Sequence, residues 1–391
     1  MSIDWEKIRK KYFPTLKNLT YIMAASASPL NKEAFRKTIW YYKDMLRFGD
    51  IHYETFTKEL EELRFLIANY INATPDEIAF LINTSSGMNV IANFLDNQNE
   101  IIYPSIEFPA SIHIFKRREF PCKKIIAQDN RYPIENYENV LSPSTKYVIN
   151  SYVQSLTGFR QNLEQVGEFC RQHDLYHIVN ATQGFSSFEI DVQRQRIDML
   201  ASNGLKWPGA GYGAGILYIN QSLLNEKLIP ISGWLSVENP FQLDNDNLNV
   251  INKARSIDGM GGCPNFGALL ALKGSFELIT NVIGNGDINI GVKRIQERIV
   301  WLTTEFLNRL EEFNLKIITP LELSNRSGII TIEHENATRI HEIFVKNKIH
   351  ITLKRYPDNP NDTLLRFAFN YYNNLKDITR VVKLLKSLNL K

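Results

Sequence analysis

The sequence has few cysteines and no long apolar run, and each absence excludes a class of protein. Its 391 residues include three cysteines, Cys122, Cys170 and Cys263, which are far apart and form no CxxC pair. An odd number of scattered cysteines argues against a disulfide scaffold and fits a reducing compartment, so we expect a cytoplasmic protein. No run approaches the about 20 apolar residues of a membrane helix. The first residues include Asp4 and Glu6 and lack the apolar core of a signal peptide.

An excess of charge of one sign is also missing. Lysine and arginine number 45 and aspartate and glutamate 42, which gives a net charge of +3. This balance gives no reason to expect nucleic acid or a membrane surface as a partner. His173 and His177 lie four residues apart without the glutamate of a zinc-protease helix, so we expect no metal site. With 44% hydrophobic residues, the chain can bury a substantial core.

Short apolar runs alternate with helical periodicity through the first 220 residues. The pattern predicts helices over 32–49, 56–71, 86–95 and 162–173. It predicts strands near 78–82, 101–103, 124–127, 147–150, 178–179, 199–201 and 215–219. Strands separated by helices favour an α/β fold with a mostly parallel sheet covered on both faces.

The texture of the sequence changes after residue 262. Long helical patterns cover 263–279 and 290–313, short strands are predicted at 328–332, 350–353 and 364–369, and a last helix at 375–388. This is the pattern of an α+β unit. We therefore expect a large domain over residues 18–262 and a smaller domain built from residues 1–17 and 263–391.

One lysine stands where an α/β sheet places its ligands. Lys206 follows the predicted strand at 199–201 directly and lies between Gly204 and Gly209. Ligands of such sheets bind at the carboxyl ends of strands. In a cleft shielded from water the pKa of a lysine falls, and its amine becomes able to form a Schiff base. On spacing alone, an ordinary surface lysine in a turn is the simpler interpretation. The glycines at 209–215 lack the spacing of a phosphate loop.

The motifs around Lys206 occur in the order of one known family. They are 83–89 (NTSSGMN), 107–109 (EFP), 153–160 (VQSLTGFR), 180–184 (NATQG), 202–207 (SNGLKW), 213–215 (GAG), 261–265 (GGCPN), 365–367 (LRF) and 372–373 (YN). The ordered set resembles the class V aminotransferase family, in its isopenicillin-N-epimerase-like branch, over about residues 20–390. The resemblance implies the cofactor pyridoxal 5'-phosphate (PLP). It also implies fold type I, a large mostly parallel sheet domain with a small C-terminal α+β domain.

The resemblance assigns the cofactor contacts. Lys206 would form the Schiff base with the cofactor and move the proton of the substrate Cα. Thr84 and Ser85 would hold the cofactor phosphate at a helix N-terminus, with an ordinary N-cap as the alternative. Phe108 would stack on the pyridine ring, or be a core phenylalanine instead. Gln183 would hydrogen-bond the phenolic oxygen of the cofactor.

It also assigns a substrate contact and a partner. Arg366 would bind a substrate carboxylate through both guanidinium nitrogens, or form a structural salt bridge instead. Gly262 and Cys263 would reach the cofactor phosphate of the neighbouring subunit, which implies a symmetric homodimer with shared active sites.

Four positions depart from the family pattern. Asn180 stands where the family has an aspartate that keeps the cofactor ring nitrogen protonated, and a neutral amide cannot favour that proton by charge. Cys263 replaces a threonine, and Leu205 a histidine found in some branches. The stretch 22–26 (IMAAS) lacks the family's asparagines and presents apolar residues to the expected substrate.

Three functions remain open at this point. The first is a PLP-dependent, aminotransferase-like enzyme acting at the α-amino group or Cα of an amino acid or amine. The second is an epimerase or lyase, suggested by Asn180. The third is a catalytically silent homologue that binds a ligand or partner protein. A cysteine desulfurase is disfavoured, because residues 347–366 contain no cysteine before Arg366.

Overall fold

The computed structural model describes residues 3–356 and 363–388. Residues 1–2, 357–362 and 389–391, which belong to the expected smaller domain, lie outside the described residues. The helices are α1 (Trp5–Tyr12), α2 (Lys32–Phe48), α3 (Tyr53–Ile71), α4 (Thr84–Phe94), α5 (Pro109–Arg117), α6 (Ile134–Glu138), α7 (Leu163–Gln172), α8 (Gln221–Glu226), α9 (Phe266–Glu277), α10 (Ile288–Leu310), α11 (Ala337–Lys346) and α12 (Leu375–Ser387). The strands are β1 (Thr20–Tyr21), β2 (Ile78–Leu81), β3 (Glu100–Pro104), β4 (Cys122–Ile125), β5 (Thr145–Ser151), β6 (Tyr176–Asn180), β7 (Met199–Asn203), β8 (Gly215–Ile219), β9 (Lys316–Ile317), β10 (Ile329–Glu333), β11 (Ile349–His350), β12 (Thr352–Arg355) and β13 (Thr363–Ala368).

A seven-stranded sheet carries the larger part of the chain. Its strand order is β2-β8-β7-β6-β5-β3-β4, and every neighbouring pair is parallel except the two pairs that involve β8. Strands β2, β7 and β8 are buried along their whole length, as expected of a sheet covered by helices on both faces. The expected fold class, a large mostly parallel sheet domain with a smaller α+β part, is confirmed.

The register of this sheet gathers polar residues at one edge. Ser151 at the end of β5 pairs with Asn180 at the end of β6, and Asn180 pairs with Ala201 of β7. Helix α4 begins beside them, because β2 runs parallel to β7 on the far side of β8. The carboxyl ends of four strands therefore meet where ligands of such sheets bind.

Two glycines allow α4 to approach the sheet closely. A Cβ at Gly215 of β8 would lie 2.4 Å from the backbone nitrogen of Asn83, and one at Gly87 of α4 would lie 2.9 Å from Ala201 Cβ. Both distances are below ordinary contact, so a larger residue at either position would push the helix away. The N-terminus of α4 is thus held against the ends of β7 and β8.

The smaller sheet has one apolar and one polar face. It is antiparallel with the order β12-β13-β10-β9. One face packs, through residues such as Ile330 and Phe367, into a core cluster with α10, α11 and α12. The other face carries Thr331 and Arg366, which are register partners. This polar face is directed toward the large sheet, where Thr331 Oγ1 donates to Leu156 O at 2.7 Å.

One helical segment, Phe266–Ile283, is long and apolar enough to cross a membrane by length and composition. Of its residues, 83% are buried inside the protein, where it packs on α2 and α3. Lys273 in this segment makes ion pairs with Glu59, Glu62 and Glu277 at 2.7, 2.7 and 2.9 Å. The segment is therefore a core helix that shares its cluster with the large sheet's helices. The division of the chain at residue 262 stays a prediction.

Candidate active site

Lys206 lies in the turn after β7 and faces an aromatic ring. Its Nζ is 5.3 Å from the ring centroid of Phe108. The turn is closed by hydrogen bonds from Gly204 N to Ala214 O and from Ala210 N to Gly204 O, both 2.9 Å. Burial, followed by the charges of Arg366 and Lys354, lowers the pKa of Lys206 to about 7. A large share of this lysine is therefore an uncharged nucleophilic amine at neutral pH.

A network around one carboxylate positions Phe108. Glu107 accepts hydrogen bonds from the backbone N–H of Phe108 at 2.8 Å and of Ser151 at 2.7 Å, from Ser111 Oγ at 3.0 Å and from Gln154 Nε2 at 3.1 Å, and it also contacts Ser151 Oγ. The ring of Phe108 nevertheless stays 39% exposed. Phe108 is therefore not a core residue, and its face is free to stack on a planar ligand.

The N-terminus of α4 is linked to two strand ends by side chains. Thr84 Oγ1 lies 2.6 Å from Thr182 Oγ1 and accepts a hydrogen bond of 3.0 Å from Asn203 Nδ2. The N-cap is Asn83, whose Oδ1 accepts from Ser86 N at 2.9 Å. The alternative in which Thr84 or Ser85 is the ordinary N-cap therefore does not hold. Asn203 Oδ1 is buried and has no hydrogen-bond partner among the described residues.

The amide side chains at the sheet edge are firmly oriented. Asn180 Nδ2 donates to Ser111 Oγ at 2.7 Å, and Asn180 Oδ1 accepts from Thr182 N at 3.0 Å. Gln183 Nε2 donates to Ala25 O at 2.9 Å, and its Oε1 accepts from Trp207 Nε1 at 2.9 Å. Both side chains are buried, Asn180 beside β7 and Gln183 against Trp207, the residue after Lys206.

The stretch at 22–26 is largely buried. Ile22, Ala24 and Ala25 lie in the core clusters, and their expected contact with a substrate stays a prediction. Where the family has asparagines, this chain has small apolar side chains that pack in the core. They let the segment cross between the two sheets. Its contributions to the site are polar, namely the carbonyl of Ala25 and the hydroxyl of Ser26.

Arg366 is 1% exposed and is bound by neutral groups. Its Nη1 donates to Ser155 O at 2.8 Å and to Ser155 Oγ at 3.0 Å, and its Nη2 donates to Ser26 Oγ at 2.8 Å. Within residues 3–356 and 363–388 it makes no ion pair, and its Nε has no partner. Burial lowers its pKa to about 10. The described residues thus give no support to a structural salt bridge, and the guanidinium is suited to an incoming anion.

In the single chain, Gly262 and Cys263 lie apart from the residues around Lys206. Gly262 lines a groove with Tyr53, Arg64 and Pro264, and this groove contains none of the residues around Lys206. Cys263 is exposed on the surface. Their expected contact with a cofactor therefore depends on a second subunit and stays a prediction.

Several residues of the site had no role in the sequence-based prediction. Ser111, Ser155, Thr182 and Asn203 lie inside or next to the quoted motifs, so their proximity to Lys206 was within reach of sequence reasoning. Lys354 was not, because β12 matches no motif. Only its alternation of polar Thr352, apolar Leu353 and polar Lys354 indicates a strand with one polar face.

Comparisons with known proteins agree with this geometry. Residues 20–381 match the model of the family described as Aminotransferase class-V. Curated relatives include the uncharacterized aminotransferase YcbU of Bacillus subtilis, 23% identical over 95% of each chain. They also include a probable cysteine desulfurase of Pyrococcus abyssi, 24% identical over 85% of this chain and 84% of the relative.

Solved structures share the fold. The apo structure of the cysteine desulfurase from Thermococcus onnurineus NA1 superposes with a TM-score of 0.87 at 21% identity, covering 99% of this chain and 98% of the other. The cystine C-S lyase C-DES, solved with its product cysteine persulfide, gives 0.84 at 19% identity, covering 95% and 98%. These relatives are aminotransferase-like and desulfurase-like, so the expected isopenicillin-N-epimerase-like branch is not confirmed.

Proposed function

Because the chain belongs to the class V aminotransferase family of PLP-dependent enzymes, we propose that it acts at the α-amino group or Cα of an amino acid or amine. Lys206 would be the residue that links covalently to the cofactor. One observation carries the proposal: the amine of Lys206 has a pKa of about 7 and faces the ring of the partly exposed Phe108. Such an amine is both a nucleophile and a proton carrier near neutral pH.

The residues at the sheet edge fit the cofactor. Asn83 occupies the N-cap of α4, which leaves the first backbone N–H groups of the helix and the hydroxyl of Ser85 for a phosphate. The orphaned Oδ1 of Asn203 nearby marks a polar pocket that is incomplete in the protein alone. Phe108 would stack on the ring, and Gln183 and Asn180 would face its polar atoms. When bound, PLP supplies an electron sink for charge that develops at the substrate Cα.

The protein's own groups then have distinct tasks. Lys206 would hold and move the Cα proton, since its pKa lies near the working pH. Arg366, held in place by Ser26 and Ser155, would orient the substrate carboxylate. Together they would fix the reacting carbon over the face of the cofactor.

Amino-group transfer is the first candidate reaction, and an epimerase or lyase is the second. The second is favoured by Asn180, because its neutral amide, held by Ser111, cannot stabilise a protonated cofactor ring by charge. A catalytically silent homologue finds less support. The pKa of Lys206 is lowered, and the buried Arg366 makes no ion pair among the described residues, and both are features of a working site.

Cysteine desulfuration is not proposed, although relatives carry that name. A cysteine that receives sulfur must be an accessible thiolate close to the reacting carbon. Cys170 is buried in α7 and burial raises the pKa of its thiol, and Cys122 is half-buried at the start of β4 with a raised pKa as well. Cys263 is exposed and lies beside the separate groove that Gly262 lines, and in a dimer it would reach the phosphate of the neighbouring cofactor, not the reacting carbon.

We further propose a cytoplasmic homodimer in which Gly262 and Cys263 reach the neighbouring cofactor. Large apolar side chains support it, since Leu46 of α2 is 86% exposed and Ile51 after it is 78% exposed, with Phe35 and Tyr42 on the same helix also exposed. Apolar groups exposed together indicate an association surface. Sedimentation of the purified protein should give twice the mass of one chain, and a monomer at micromolar concentration would contradict this.

The reaction is tested with the PLP-loaded full-length protein and a panel of amino acids. Transfer of the amino group to the cofactor supports the first candidate, and exchange of the Cα proton with deuterium without such transfer supports the second. Lys206→Ala should abolish both, and Lys293→Ala, which removes an exposed lysine of α10, should change neither. If wild-type protein neither transfers nor exchanges with any amino acid, the proposed activity is wrong.

A further inference from the structure

The polar face of the smaller sheet carries a second cation beside Arg366. In β12, Leu353 packs against the core cluster of this sheet, so Thr352 and Lys354 point to the opposite face. Thr352 is the register partner of Arg366, and Lys354 is the partner of Leu364. Lys354 is therefore a diagonal neighbour of Arg366, at the spacing of about 7–8 Å at which long side chains on one face interact.

Lys354 has no anionic partner in the part of the chain that the structure describes. Neither an ion pair nor a hydrogen bond of its side chain is found among residues 3–356 and 363–388. The carboxylate on the same face, Glu333, is already bound by Lys316 Nζ at 2.7 Å and by Tyr356 OH at 3.3 Å. Burial and the charge of Arg366 lower the pKa of Lys354 without an opposing carboxylate.

Three basic side chains thus lie near one another. Arg366 and Lys354 are close enough to the amine of Lys206 for their charges to lower its pKa. A buried or half-buried cation without an anionic partner is unfavourable until an anion binds. Lys206 would form the covalent link to the cofactor, and Arg366 would bind one carboxylate of the substrate. The positive charge of Lys354 would then be available to a second anionic group.

We propose that Lys354 is a specificity-determining residue that binds the side-chain carboxylate of a dicarboxylic amino acid while Arg366 binds its α-carboxylate. This inference rests on the proposed function and names its substrate class. The groups around Arg366 are neutral: the hydroxyls of Ser155 and Ser26 accept hydrogen bonds from its guanidinium, and Ser26 is hydrogen-bonded to Thr352.

Binding of unreactive carboxylates to the PLP-loaded full-length protein tests this step by calorimetry. Succinate and glutarate carry two carboxylates, and butyrate and pentanoate, which have the same numbers of carbon atoms, carry one. We expect at least one dicarboxylate to bind tenfold or more tightly than the monocarboxylate of equal length. Lys354→Gln should abolish that difference, and Lys354→Arg should retain most of it. Lys346→Gln, at an exposed position of α11, should leave it intact.

The inference is overturned if neither dicarboxylate is preferred, or if Lys354→Gln weakens both classes of ligand equally. Because these ligands have no amino group, the result is independent of the reaction. A protein that reacts with amino acids but shows no dicarboxylate preference would refute this inference and leave the proposed function intact. A Lys354-dependent preference in a protein that reacts with no amino acid would support this inference and refute the proposed function.

With reactive ligands, the same preference should appear in the absorption of the bound cofactor. L-Aspartate or L-glutamate should saturate the change at a concentration at least tenfold lower than L-asparagine or L-glutamine. Lys354→Gln should remove most of the difference in saturating concentration between the acid and its amide, because the charge that distinguishes the two ligands is then missing. Equal saturation of acid and amide in the wild-type protein would contradict the role of Lys354.

Discussion

Lys206 owes its reactivity to the residues around it, not to its position in the turn alone. An ordinary lysine has a pKa near 10.4, so about one amine in 2,500 is uncharged at pH 7. Burial, Arg366 and Lys354 together lower the pKa of Lys206 to about 7. The sequence places this lysine after a strand, but it does not show that two cations from the far end of the chain face it.

The rate of cofactor uptake should therefore depend on pH with a midpoint near 7. Only the uncharged amine reacts, so uptake by the cofactor-free protein should rise as the pH passes from 6 to 8 and then level off. Arg366→Gln removes a positive neighbour, which stabilises the protonated amine and should move the midpoint to higher pH. Stopped-flow absorption measures this, with Arg339→Gln on exposed α11 as the control. A midpoint above pH 9 in the wild type would contradict the lowered pKa.

Glu107 is a second residue whose role depends on its contacts. It accepts hydrogen bonds from four groups near the start of α5 and the end of β5, and so fixes Phe108 beside Lys206. Glu107→Gln replaces one acceptor oxygen by a donor and leaves at least one of these groups unpaired, which should cost about 1–3 kcal/mol of unfolding free energy.

Urea unfolding and PLP titration check the Glu107→Gln variant. Both stability and cofactor affinity should fall, whereas Glu135→Gln, which changes an exposed residue of α6, should alter neither. Unchanged cofactor affinity would show that Phe108 does not need this network.

Among the elements, most helices and strands of the sheet region follow from periodicity, and the exceptions have physical reasons. Helix α5 begins at Pro109, the last residue of the motif 107–109, and its nine residues are too few for a clear helical period. Helix α1 was missed because Trp5, Ile8 and Tyr12 lie among many charged residues. Helix α9 begins at Phe266 and not at residue 263, because Asn265 caps it by accepting a hydrogen bond from Ala268 N at its Oδ1.

The contact between α4 and β8 makes a prediction at the level of the element. Gly215→Ala would place a Cβ 2.4 Å from Asn83 N and force the start of α4 away from the sheet. Overpacking of this kind should destabilise the protein by about 1–3 kcal/mol. It should also weaken PLP binding, because the helix N-terminus is the proposed phosphate site. Thermal unfolding and PLP titration measure both effects, and wild-type PLP affinity in the variant would contradict the proposed site.

For the whole molecule, the ion-pair cluster of Lys273 holds α9 against α3. Periodicity predicts an apolar helix here, but it does not show that one lysine inside it faces three carboxylates. Lys273→Met leaves Glu59 and Glu277 still paired with Lys37 and removes this ion pair from Glu62, so it should lower the unfolding free energy by about 1–3 kcal/mol. Urea unfolding at pH 7 measures this.

The same cluster has a dependence on pH that the Lys273→Met variant should lose in part. Lys273 and Lys37 lower the pKa of Glu59 below its usual value, despite the opposing effect of burial. The resulting stabilisation is present above pH 4.5 and disappears as the pH falls through the lowered pKa. The difference in stability between wild type and variant should therefore shrink under acid conditions. A difference that is constant from pH 7 to pH 3 would contradict the assigned charges.

Lys206 is the residue proposed to hold the cofactor covalently. Reduction of the PLP-loaded protein with borohydride, followed by digestion and mass spectrometry of the peptides, tests this directly. We expect the mass of the reduced cofactor on the peptide that contains Lys206 and no label in Lys206→Ala. A label on another lysine of the wild-type protein, or no label at all, would contradict it.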